Sequence, residues 1–549
     1  GPTTRERLIA MLSFRLRLPD LTQPWSWDHN RWTSGESWVE PFVNPVLECG
    51  LVHDAAMIRV AVIGRERSME RAGTIPALTP DPMPVDPAHY DALIGAMSHW
   101  PGESLTIEMQ RGRDASSQVR ITAGPYGTMP VYLATAAQVL EGSWSLPDLR
   151  HHASADRLLD RAVARALTRR HRYSTDTLWD GVHRLTERAT ARFTASGLTI
   201  SYPTPALHVA QPRTPRPGVD LVAAFDTLLT TAVARLAVSA PPGQIGVELS
   251  GGADSTNVAL AVTALREDQV SSYGLLVDGD TGQQRRRIEV ARVLGLHDMA
   301  ISSHRYPPFA QGGPRTLPHD PTGDYYVEAF EAARAAGAAS GMRVVFTGIG
   351  GDELMALRPA ERQGLVRTSG PPDPPSWLGP RAARALSEVE ANVAPASLVH
   401  PPSLMAFAAR NPLFLQWGMW PVSPLADPLI VRFGESLPVG WRRGKTLLRD
   451  RLRRAGLSDE VADPAQPETF AGLMQAGLRR CGLPLLAGMA ADSLLVDAGY
   501  VDRAALAAAY EQARSAAVVP SLLYDVIALE VGLRSLLQHD VPLSRRTPG

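Results

Sequence analysis

Over the first two hundred residues, apolar and polar side chains alternate with a period of two in short runs. Residues 56–62, 105–109 and 118–123 each send one set of side chains toward a core and the other toward water, as half-buried strands do. A helical stretch, 158–167, is interspersed. The pattern breaks at Gln211-Pro212-Arg213-Thr214-Pro215-Arg216-Pro217-Gly218, where prolines and charges suit neither a helix nor a central strand. Beyond it the periodicity predicts a helix over 220–236, a strand over 244–249, a helix over 256–266, a strand over 271–277 and a helix over 286–294. Helix and strand in turn argue for a parallel sheet joined by right-handed crossovers. From Pro380 onward the chain is mostly alanine-, leucine- and arginine-rich helix. The reading is two domains: a strand-rich α+β unit over 1–212, and an α/β unit with a helical C-terminal part over 219–549.

Two of these strands end in residues that carry chemistry. Gly246 to Ser255 reads as a buried strand running into Ser250-Gly251-Gly252-Ala253-Asp254-Ser255, the layout of an ATP pyrophosphate loop. Glycines let the backbone turn and aim N–H groups outward, Ser250 and Ser255 add hydroxyls, and a following helix N-terminus favours an anion. Asp254 would hold Mg²⁺ against the phosphates. No lysine stands in the turn, which separates it from loops that support γ-phosphate transfer and suits attack at the α-phosphate with pyrophosphate leaving. A serine-glycine-glycine turn alone is equally an ordinary loop. About a hundred residues on, however, Arg343 to Phe346 reads as another short strand, ending in Gly348-Ile349-Gly350-Gly351-Asp352-Glu353. Both turns would lie at the carboxyl edge of a parallel sheet, bringing Asp254 and Asp352 onto one metal ion.

Composition narrows the classes of partner. The 55 Lys+Arg nearly cancel 56 Asp+Glu, so neither nucleic acid nor a membrane surface is implied. Lys445 is the sole lysine, and Cys49 and Cys481 are too few and too far apart for a disulfide framework or a zinc site. No apolar run approaches the ~20 residues that span a bilayer, so the expectation is a soluble, cytoplasmic enzyme.

Taken with Pro424-Leu425-Ala426-Asp427 and Gly444-Lys445-Thr446-Leu447-Leu448-Arg449, the two turns resemble, in order and spacing, the synthetase domain of asparagine synthetases. More closely, the chain looks like the lasso-peptide macrolactam synthetases, which close a peptide ring. Thr177 to Leu185 and Ser143 to Arg150 are similar to that group's amino-terminal half. The resemblance implies a glutaminase-like sandwich followed by an ATP-pyrophosphatase domain. The glutamine-using members begin with a cysteine, whereas this sequence begins Gly1-Pro2-Thr3-Thr4, so the first domain is expected to be degenerate.

The implied reaction has two steps: a carboxylate attacks the α-phosphorus of ATP, then an amine displaces AMP. Asp254 and Asp352 are the expected Mg²⁺ ligands, and Glu353, Lys445 and Arg449 the further catalytic candidates. Leu249 to Gly252, Ser255, Gly348 and Ile349 would line the nucleotide, with backbone groups of Leu249 and Val277 on adenine. Ile349 stands where the relatives carry a glutamate, or in β-lactam synthetases a tyrosine, that helps deprotonate the amine. A peptide α-amine has a pKa of about 7.7–8.0, so roughly a tenth is neutral at pH 7 and needs little help. The family's late arginine-proline-lysine signature is replaced by Asp463 to Phe470. Glu289 is a weaker candidate, equally readable as a surface helix residue; Asp320 to Asp324 reads as a turn at the family's substrate-facing loop, and Glu388 and Glu390 are candidate bases for the second step. The implied partners are a precursor peptide, a leader-peptide-binding protein and a leader peptidase. The alternatives are a small-molecule amide synthetase of the β-lactam or asparagine type, or a binding scaffold that keeps the nucleotide fold.

Overall fold

The structure is a computed structural model that describes residues 11–537, apart from 22, 55–57, 69–75, 112–115, 206–213, 278, 363–372 and 467. Its first half packs two seven-stranded sheets face to face. One runs, in spatial order, Val182–Leu185, Val131–Ala136, Val139–Ser143, Ser13–Arg17, Ser37–Glu40, Arg31–Ser34 and Ser26–Asp28. The other runs Gly197–Ser201, Thr190–Thr194, Ser117–Ala123, Ser104–Arg111, Arg59–Glu66, Leu47–Asp54 and Leu78–Val85. Alternation does the sorting: Phe14, Leu16, Leu133 and Leu140 from one sheet meet Val60, Val62, Ile107 and Ile121 from the other. The predicted strand at 56–62 is observed as Arg59–Glu66; its first two residues, like 211–213 of the proline-rich boundary, fall outside the described residues.

The second half is built on a five-stranded parallel sheet, ordered His297–Ser302, Ser271–Leu276, Ile245–Glu248, Val344–Phe346, Trp420–Val422. The chain enters at Ile245–Glu248, builds outward on one side, and then returns to lay Val344–Phe346 on the other. The strand order therefore reverses between these two, and a crevice opens beyond their carboxyl ends. The mixed α/β class, with its parallel sheet and helical C-terminal part, is as expected from the sequence.

Two predicted helices start earlier than periodicity suggested, and both shifts matter. The helix placed at 256–266 is Ala253–Thr263, because Gly252 is extended and serves as its N-cap. Asp254 and Ser255 thus stand in its first turn. The helix placed at 286–294 is Thr281–Leu294, because the Asp280 carboxylate caps it by accepting from the Gln283 N–H at 2.8 Å.

The halves share one core. Trp420 lies against Phe42 and Trp144 of the sandwich, with ring centroids 6.3 and 5.7 Å apart, and its indole N–H donates to Glu66 at 2.8 Å. The Asn44 amide donates to the carbonyls of Arg343 and Gly418 at 2.9 and 3.2 Å. A second apolar cluster draws on both halves of the chain, joining Leu146, Leu158 and Trp179 to the largely buried helix Leu523–Leu537.

Candidate active site

Both predicted turns lie in the crevice. Gly251 takes a left-handed backbone (φ 91°), folding the turn back so that the Ser250 N–H donates to Ser255 Oγ at 3.1 Å and the Gly252 N–H to Ser250 Oγ at 3.1 Å. The N-terminus of helix Ala253–Thr263 then faces the opening, a place that favours anions. The second turn presses directly against the first. A methyl group on Gly348 would stand 2.7 Å from the Ser255 nitrogen, and one on Gly351 only 2.3 Å from the Asp254 carboxyl carbon.

Asp254 and Asp352 converge on a single cation, the Lys445 ammonium. Nζ is 2.9 and 2.7 Å from the two oxygens of Asp254 and 2.6 Å from Oδ1 of Asp352. Burial pushes the Asp254 carboxyl above the usual range, against the pull of Lys445. For Lys445 burial works the other way, but the two carboxylates outweigh it and hold the ammonium above its ordinary value. Glu353, in the same short helix as Asp352 (Gly351–Leu354), is pushed up by burial and by its acidic neighbour. An anionic all-oxygen pair converging on positive charge suits a hard divalent ion such as Mg²⁺ as well as the ammonium.

Arg449 is not brought to this point. Its guanidinium pairs with Asp463 at 2.8 Å, the first residue of the segment that replaces the arginine-proline-lysine signature. Ile349 packs into a small apolar cluster with Tyr173, Leu404 and Phe407. Glu289 caps the helix at 459–462, accepting from the N–H and hydroxyl of Ser458, both at 2.7 Å, and Glu390 pairs with Arg172 at the surface. The backbone groups proposed for adenine have partners inside the fold: the Leu249 N–H donates to Tyr273 at 2.7 Å, the Leu249 carbonyl accepts from Arg287, and the Val277 N–H donates to Gln283 Oε1 at 2.8 Å.

Sequence reasoning missed Gln283. Its buried amide ties the first turn to the neighbouring strand Ser271–Leu276, donating to the carbonyls of Ser250 at 2.8 Å and Leu275 at 2.9 Å while accepting from Val277. Only the Asp280 cap, read as a helix start, would have brought it into view. Also missed was Glu468, whose carboxylate lies beside Gly251 and Gly252 and holds Arg286 at 2.6 Å.

Beside the crevice a cavity of about 330 Å³ opens between helix Asp160–Leu167, the 320–325 turn and helix Pro401–Leu415. Arg165, Arg172, Arg184 and Arg410 line it together with Asp176 and Asp324. Arg410 links it to the strand Ile245–Glu248, reaching Glu248 at 2.8 Å and Asp324 at 3.2 Å. Met405 on its wall also packs in the Ile349 cluster. Cys49, on the strand Leu47–Asp54, is held protonated by burial, which pushes its thiol up to about 12, and burial raises Cys481 as well. Neither is poised as a nucleophile. No described helix is long and apolar enough to cross a membrane.

The fold and crevice are those of an α/β domain with two glycine turns and two acids at its switch point. Residues 224–416 match the family described as asparagine synthase, so the parallel-sheet half carries an asparagine synthase-like domain, which supports an ATP-dependent, amide-forming synthetase in general. No curated protein matches the sequence significantly. Among solved structures, the chain is similar to an allosteric regulatory enzyme of purine biosynthesis at 9% identity and to the glutamine phosphoribosylpyrophosphate amidotransferase of B. subtilis, complexed with ADP and GMP, at 10%. Each likeness covers 55% of this chain and 76% of the other at a TM-score of 0.20, too low to bear on function.

Proposed function

We propose that this protein is an ATP-dependent peptide macrolactam synthetase: it adenylates an Asp or Glu side-chain carboxylate of a leaderless precursor peptide and joins it to the peptide's own N-terminal amine, releasing pyrophosphate and AMP. The observation that carries the ATP-dependent half is the convergence of Asp254 and Asp352 on one positive charge at the switch point. Mg²⁺ held by this pair would neutralise charge on the departing pyrophosphate. The Ser250 to Ser255 turn and the helix N-terminus that it opens would receive the same phosphates, and Gln283 keeps that turn in register with the neighbouring strand. Lys445 supplies a positive charge at the centre of both steps.

The choice of peptide rests on Ile349 and the adjoining cavity. Ile349 offers no base, which a partly neutral α-amine can do without. The 330 Å³ cavity could take part of a folded peptide, whose amine and carboxylate, held near each other, would need little further activation. The sandwich domain, whose Cys49 is held protonated by burial, would then serve as a wall. A leader-peptide-binding protein and a leader peptidase in the same cytoplasm would deliver the substrate.

A second reading, a small-molecule amide synthetase of the β-lactam or asparagine type, is favoured by the arginines and aspartates that line the cavity. A mass spectrum of a leaderless candidate peptide incubated with protein, ATP and Mg²⁺ separates the two. Loss of one water from the peptide supports ring closure. Pyrophosphate release with amino acids but with no peptide tried supports the small-molecule synthetase, and release with neither returns the protein to a binding scaffold.

A further inference from the structure

On the outer side of the sandwich, far in sequence from both nucleotide turns, two imidazoles and a carboxylate come together. Glu141 sits mid-strand, paired in register with Arg15 on one side and Ala134 on the other, so its backbone is fixed from both edges. His151 and His152 end the 3₁₀ helix Leu146–His152, which Leu146 and Leu149 anchor in the core. Both imidazoles reach the same carboxylate oxygen: Nε2 of His151 is 2.6 Å and Nε2 of His152 is 2.5 Å from Oε2 of Glu141. Arg15 holds the other oxygen, Oε1, at 2.5 Å. The three ligand atoms lie within 4.8 Å of one another.

This donor set is specific in what it accepts. Two imidazole nitrogens and one carboxylate oxygen suit Zn²⁺ with an open coordination position, whereas Mg²⁺ and Ca²⁺ prefer oxygen throughout. The geometry leaves Oε2 to the histidines alone, because Arg15 grips Oε1, in the manner of the outer partners that orient metal-binding carboxylates. The side chains of Glu141 and His152 are 12% exposed and that of His151 57%, so the pocket opens to solvent on one side. A metal entering there replaces two N–H···O contacts to one oxygen.

We propose that Glu141, His151 and His152 form a Zn²⁺ site, separate from the nucleotide crevice, that pins the Leu146–His152 helix to the first sheet. Isothermal titration of the chelator-treated full chain should show uptake of one equivalent of Zn²⁺, undisturbed by ATP and Mg²⁺. Glu141→Gln, His152→Gln and His151→Ala should each weaken it at least tenfold, and Zn²⁺ should raise the melting temperature of the parent more than that of any variant. His151 is exposed, so His151→Ala tests the site without disturbing the core. Failure to take up one equivalent, or uptake that all three variants leave unchanged, would overturn the proposal.

Discussion

Nζ of Lys445 lies 2.7 Å from Oδ2 of Asp254, a contact that spans 191 positions of sequence and ties the C-terminal helices to the Ser250 to Ser255 turn. Lys445 holds it from a left-handed backbone (φ 58°), a conformation that costs a non-glycine residue about 1 kcal/mol or more. Strain accepted by the sole lysine of the chain, at the point where two acids meet, argues for a role in the reaction. Lys445→Met should cut overall turnover at least a hundredfold. It should also cost about 1–3 kcal/mol in urea unfolding, between the values for surface and buried pairs. Lys445→Arg should recover stability but not turnover, because a planar fork cannot replace a point charge between two carboxylates.

The acids themselves are tested by ATP–pyrophosphate exchange. Asp254→Asn and Asp352→Asn should each lose at least a hundredfold in exchange while melting within a few degrees of the parent. Asp254 is pushed up by burial, so ionising it opposes folding, and its amide replacement is not expected to destabilise the chain. Near-parent exchange in either variant removes that residue from the site.

Gly351→Ala probes the contact between the turns. Its methyl would meet the Asp254 carboxyl at 2.3 Å, so exchange should fall with little change in secondary structure. Gly472→Ala, in the helix Ala471–Gly477 with nothing within 4 Å, is the neutral control. Equal exchange in the two variants would show that the turns are looser than they look.

Burial holds the Glu103 carboxyl up at about 7, although the N–H groups of Thr128 and Ser104 donate to it at 2.5 and 3.0 Å. Between the ordinary glutamate value and 7 the folded chain keeps a proton that the unfolded chain has lost. Stability from this group therefore falls as pH rises through that window. Relative to the parent, Glu103→Gln should gain stability between about pH 5 and pH 7, by at most roughly 1.4 kcal/mol per pH unit. A constant difference in denaturation midpoint across that range would count against the raised value.

Ile349 tests the substrate. If a partly neutral peptide amine is the nucleophile, cyclisation should climb with pH through about 7.7–8.0 and then level. Ile349→Val should cost ~0.5–1.5 kcal/mol of stability and little activity. Ile349→Glu should harm both, since its carboxylate would enter a cluster of Tyr173, Leu404 and Phe407. A glutamate variant as fast as the parent would mean that a base was wanted there.

The two turns were legible in sequence because glycine, serine and aspartate at fixed offsets act locally. The helices at 220–236 and 286–294 were legible because an apolar stripe is local too. The outer strands of the parallel sheet were not. His297-Asp298-Met299-Ala300-Ile301-Ser302 is half polar, as an edge strand can be, and Trp420-Pro421-Val422 carries a proline that sequence patterns count against a strand. Pro421 is tolerated because its strand pairs on one side only. Gln283 carries no motif at all; its role arises from three carbonyl and amide groups that meet only after folding.

The indole of Trp420 donates to Glu66 across the seam between the two halves, where Arg235 also pairs with Glu66. Cutting the chain near residue 212 would leave that carboxylate facing a vacant socket and turn Phe42 and Trp144 out to water. The amino-terminal half thus behaves as a buttress: the ligase sheet leans on it along its last strand. Expressing the second half alone should yield a sticky, aggregating fragment, and substitutions that loosen the sandwich should be felt as lost ligase, with no ligase residue touched.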